Sequence, residues 1–83
     1  MHDSLLMQNI SGSLNEICRD NGIRKVTKLE IAVNKKSPIN ERNLLEHLLD
    51  MNKGLIDNST IANVLLEDIP DEVAEIKKVE GEK

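Results

Sequence analysis

Three nitrogens stand close together at the start of the chain: the α-amine of Met1, the amide of His2 and Nδ1 of the His2 ring. Bound to one ion they close two small chelate rings, and the Asp3 amide can add a fourth nitrogen. Deprotonated amides favour a flat arrangement, and tetragonal nitrogen sites suit Ni(II) or Cu(II). A site built from backbone and one side chain stays accessible, as a carrier that must release its metal requires. Taken alone, these residues fit a solvated chain terminus better than a metal site. Met1, His2 and Asp3 are nonetheless the candidate ligands. His47 is a second candidate, for a site shared within a dimer, but its place beside a leucine stripe reads first as a boundary residue with its polar tip in water. Cys18, the single cysteine, reads as a small buried hydrophobe. It can form no internal disulfide and no cysteine cluster for zinc. No Ser/His/Asp arrangement, phosphate-cradling glycine loop or paired carboxylates mark a catalyst, so a non-enzymatic role is expected.

Composition narrows the classes further. Leu, Ile and Val must build the core, since the 83 residues contain no Phe, Tyr or Trp. Without aromatic rings there is nothing on which single-stranded bases could stack. The formal net charge of −4 disfavours a phosphate-binding surface. No apolar run approaches the ~20 residues needed to span a membrane, and no signal peptide is evident. A cytoplasmic protein without nucleic-acid or membrane partners is expected. A chain this small buries only about 60% of the surface its unfolded form exposes, so a homodimer is expected to add to its core.

The candidate ligands precede an apolar stripe, Met7, Ile10, Leu14 and Ile17, with Leu6 and Cys18 beside it. This spacing predicts a helix over 3–21, capped by Asp3 or Ser4 and stopped at Asn21-Gly22. "KVTKLEIAV" predicts a half-buried strand over 25–33 with Thr27, Leu29, Ile31 and Val33 on one face. Asn40 caps a second helix, 40–53, with Leu44, Leu45, Leu48 and Met51 inward. A strand over 60–68 follows, with Ala62, Val64 and Leu66 inward. Pro70-Asp71 marks a turn. Ile76 and Val79 then favour a third strand over 73–80 rather than a frayed tail. The order α-β-α-β-β over a single domain, residues 1–83, predicts an α+β fold. Its three-stranded mixed sheet carries both helices on one face. Ile61, Leu65 and Val79 are expected on the open face, where a partner subunit could cover them.

Read together, "MHDSLLMQNI", "NGIRKVTKLEIAV", "SPI", a leucine-rich helix ending in "KG" and "ANVLLEDIP" resemble the HypA/HybF family. These are small accessory proteins for nickel insertion into hydrogenase and, in some organisms, urease. The resemblance covers residues 1–70 in order. The family typically opens Met-His-Glu, then Ser-Leu, and carries a His-Gly-Ala-lysine/arginine-Arg-Val-Thr stretch before its strand. Here that stretch reads Asn21-Gly22-Ile23-Arg24-Lys25-Val26-Thr27. The resemblance implies Ni(II) held by the N-terminal segment with His2 as its side-chain ligand. Asp3 stands where the family has glutamate, and its backbone amide serves equally well. The family's Gly-Glu segment after the first strand is replaced by Asn34-Lys35-Lys36. Its zinc module, two Cys-x-x-Cys pairs between the second and last strands, is missing, so no structural zinc is expected. The implied partners are nickel-enzyme maturation proteins or the apo-enzyme. The alternative is a metal-free interaction module that keeps the fold and pairs through its open sheet face.

Overall fold

The computed structural model describes the backbone from His2 to Lys83 and the side chains from Leu5 onward. Five elements succeed one another: α1 (His2–Asn21), β1 (Lys25–Asn34), α2 (Glu41–Met51), β2 (Ile61–Glu67) and β3 (Glu75–Glu82). The strands form one mixed sheet in the order β2-β1-β3, with β1 parallel to β2 and antiparallel to β3. This is the α+β architecture that the residue pattern predicts, third strand included.

Each helix forms for a legible reason. In α1, Met7, Ile10, Leu14 and Cys18 recur at helical spacing and are buried. Cys18 rather than Ile17, which is half-buried, completes that stripe. Gly22 then turns left-handed at φ +68, a conformation costly for residues with a Cβ. Ile23 N–H donates to the Cys18 carbonyl at 2.8 Å and Gly22 N–H to that of Arg19 at 3.4 Å, which satisfies two of the helix's last carbonyls. The cap expected from Asp3 or Ser4 falls on side chains outside the described residues. In α2 the Asn40 side chain accepts from Asn43 N–H, and the Asn43 side chain accepts from Asn40 N–H, both at 2.9 Å. Leu44 and Leu48 are fully buried, whereas Met51, expected inward, is exposed.

The sheet corrects the expected face of two residues and the expected burial of a third. Thr27 does not share the inner face of β1; Val26 does, and it is fully buried. The pairing with β3 slips between Val26 and Lys28, and this bulge reverses the alternation. Thr27 turns outward and its hydroxyl donates to the Glu80 carbonyl. Val79 lies opposite Leu29, an inward residue, so it packs against the core rather than on the open face. Leu66 lies on the core side of β2 opposite Val33, but at the sheet margin it remains 56% exposed. Gly81 allows β1 and β3 to close together, because a Cβ there would collide with the Lys25 carbonyl and the Ile23 side chain.

The open face is mostly charged. Lys28 meets Glu30, Lys78 meets Glu80, and Lys77 reaches both Glu75 at 2.8 Å and Glu67 at 3.5 Å. The Lys77–Glu67 pair joins β3 to β2 across β1, where Ala32 is fully buried. Ile61 (58% exposed) and Leu65 (38%) are the large apolar side chains left open there, both on β2. On the outer edge of that strand the Glu41 carboxylate accepts from Val64 N–H at 2.9 Å. That bond holds the Glu41 carboxyl below its ordinary range.

Candidate metal centre

Helix α1 begins at His2; Met1 and the side chains of His2 and Asp3 lie outside the described residues. The first four N–H groups of a helix have no acceptor within it, so helix formation leaves the amides of His2 and Asp3 uncommitted. The next turns of α1 pack against the rest of the fold. Leu6 and Ile10 are buried and line a groove of about 430 Å³ against Glu72, Val73 and Ala74. Those three belong to the β2–β3 connection, residues 68–74. Val73 N–H donates to the Pro70 carbonyl at 3.1 Å, closing a turn there. The stretch of α1 from Leu6 onward and this short connection therefore sit side by side.

The other candidates stand apart from a ligand set. Cys18 is buried in the core cluster, and burial raises its thiol pKa, which suits neither a nucleophile nor a thiolate ligand. The polar tip of His47 does not reach water, contrary to expectation: Nε2 is buried without a hydrogen-bond partner. Its neighbours along α2 belong to the interior, with Leu44 and Leu48 in the core and Leu45 and Leu49 packed on it. Among the described residues, no three His, Cys, Asp or Glu side chains come together as a metal site.

Two polar clusters have structural roles. In the first, the Ser59 hydroxyl, the Lys25 ammonium and the Ser59 N–H hold the Asp57 carboxyl well below the usual carboxylate range. Lys25 lies 2.9 Å away, so this cluster ties the loop before β2 to the start of β1. Thr60 extends the tie, its hydroxyl donating to the Val26 carbonyl at 2.8 Å. The second cluster joins the helices in the interior. The Ser11 hydroxyl donates to Asn52 Oδ1 at 2.6 Å, and Asn52 Nδ2 donates to the Ser11 carbonyl at 3.2 Å and to Asn15 Oδ1 at 2.7 Å. Both Ser11 and Asn52 are buried.

A signal for this second cluster stands in the residue spacing, although periodicity alone does not single it out. Ser11 falls on the stripe Met7-Ser11-Leu14-Cys18, and Asn52 continues Leu44-Leu48 by one turn. A polar residue on each apolar stripe is what a buried hydrogen-bonded pair between helices requires. Replacing Asn52 with alanine leaves the Ser11 hydroxyl without its acceptor in the interior. Asn52→Ala is expected to cost about 1–3 kcal/mol, read as a lower denaturant midpoint at unchanged slope. A midpoint within error of the wild type would show that the cluster contributes nothing net.

Comparison with known proteins finds no matching family model, no matching curated protein and no matching solved structure.

Proposed function

We propose that the chain is a nickel-binding accessory protein, a metallochaperone for maturation of a nickel enzyme such as hydrogenase. It takes one Ni(II) on Met1, His2 and Asp3 and passes it to the apo-enzyme or to other maturation proteins in the cytoplasm. The metal is cargo rather than a resident cofactor, and no chemistry is performed on it. The donor set carries this reading: an amine, one imidazole and backbone amides form a flat nitrogen site that suits Ni(II). Further along the same helix, Leu6 and Ile10 face the β2–β3 connection across a groove. That connection stands where the resembled family carries its zinc module, so docking that depends on the module is absent from the proposed role.

Titration of an untagged chain with Ni(II) tests the proposal. One equivalent per chain is expected, with Cu(II) tighter and Zn(II), which prefers tetrahedral sites, weaker. Loss of nickel uptake to an equimolar weak chelator would count against it. The second reading, a metal-free interaction module, is favoured by one observation, the exposure of Ile61 and Leu65 on the open sheet face. It expects no nickel uptake and retains only the pairing surface.

A further inference from the structure

The two edges of the sheet differ in kind. The β3 edge carries Glu75, Lys77, Lys78 and Glu80 and a register slip at Lys77. Charges and bulges of this sort discourage pairing with another chain. The β2 edge has neither, for "IANVLLE" holds no charge before Glu67 and pairs with β1 over its whole length without a slip. Ile61, Leu65 and Leu66 are its exposed large side chains. In a parallel pair, alternate residues turn both N–H and C=O toward the same neighbour. Val64 N–H goes to Glu41 rather than to β1, and Glu67 C=O goes inward to Lys35 N–H. Ala62, Val64 and Leu66 therefore present their backbone groups outward. Val64 N–H is already held by an oxygen acceptor, the Glu41 carboxylate, standing where a carbonyl of a further strand would stand.

We propose that this edge is a pairing surface for a second copy of the same chain, with β2 strands antiparallel about a two-fold axis at Asn63 and Glu41 competing for the bond that joins them. The occupant is set by the sequence of the strand. With Asn63 opposite Asn63 of the second copy, Ala62 and Val64 exchange main-chain hydrogen bonds between copies. Ile61 then lies opposite Leu65, twice, in the closer non-hydrogen-bonded positions. The same register pairs the two asparagine amides at the axis, and it buries Ile61 and Leu65 of both copies on one face, leaving Leu66 on the other. Moving the axis to Val64 would set Ile61 against Glu67 instead. Pairing must displace both Glu41 carboxylates, so Glu41 sets the strength of the dimer. This surface is independent of the nickel proposal.

The test compares wild type, Glu41→Ala and Glu41→Ala/Leu65→Lys by light scattering over a concentration series, with amide exchange read residue by residue. Glu41→Ala is expected to tighten the dimer by about tenfold or more, because two competing hydrogen bonds are removed per dimer. The added Leu65→Lys is expected to return a monomer. Protection at Ala62, Val64 and Leu66 should rise with protein concentration. A Glu41→Ala chain that folds but dimerises no more tightly than wild type overturns the proposal. So does a dimer whose Ala62 and Leu66 amides stay unprotected, which would mean pairing through the face and not the edge. Should Glu41→Ala fail to fold, the concentration dependence of exchange at these amides in the wild-type chain decides on its own.

Discussion

His2→Ala is expected to reduce nickel binding from one ion per chain to none detectable, with the circular dichroism of the fold unchanged. The reason is the economy of the donor set. It has a single side-chain ligand, so removing the ring leaves an amine and amides that bind only as part of a chelate. Residues added before Met1 should have the same effect by a different route, converting the free amine into a peptide nitrogen and displacing the ring from it. The ligands must lose protons to bind, so affinity should fall as pH drops through the histidine range, around 6.5. His47→Ala is expected to leave uptake unchanged, since its Nε2 is buried on α2 away from any group of ligands among the described residues. If both His2→Ala and the extended chain take up nickel as the untagged chain does, the N-terminal site is wrong and the interaction module becomes the better reading.

Leu29→Ala is expected to be the most damaging single substitution in the core. Leu29 is fully buried at the middle of the central strand, with Ala62 beside it on one neighbour and Val79 on the other. Truncation there removes contacts to both flanking strands at once, and a sheet backbone hydrogen-bonded on both sides cannot collapse into the space. A cost of about 2–5 kcal/mol is usual for such a change. Set against a total stability of roughly 5–15 kcal/mol for small domains, it should lower the melting temperature by roughly 8–40 °C. Thermal unfolding monitored at the helix signal reads this directly. A shift of only a few degrees would mean that α1 and α2 hold the molecule together without the sheet.

Most of the architecture is legible in the residues because the periods are clean. Both helices announce themselves by apolar residues at helical spacing, by the Asn21-Gly22 stop and by the Asn40 cap, and all five elements occupy close to the expected ranges. The faces are less legible, and the reason is local. An alternating pattern assumes an uninterrupted ladder, and "KVTKLEIAV" gives no hint of the extra residue at Thr27. That bulge exists only because β3, far along the chain, pairs with a shifted register. Leu66 misleads for a related reason, since an inward direction buries a side chain only where something covers it. The candidate ligands divide differently. His2 stands out from chemistry alone, whereas the Ser11–Asn52 pair requires knowing that two helices approach each other at those turns. Glu41 is invisible as an edge residue until α2 is seen to start beside β2.

The central position of β1 has a consequence for synthesis. Both strands that flank it come later in the chain, β2 in parallel through α2 and β3 in antiparallel after that. While the protein is being made, α1 and β1 emerge first with Leu14, Leu29 and Ile31 uncovered. One side of β1 stays unpaired until Glu75–Glu82 has been added. The pairing of Lys25 with Glu82 joins residues far apart in sequence, which slows closure. Until β3 has been added, the apolar residues of β1 lie beside an unpaired strand edge of the kind that invites aggregation, so pairing with the charged β3 closes that edge as well as completing the three-stranded sheet.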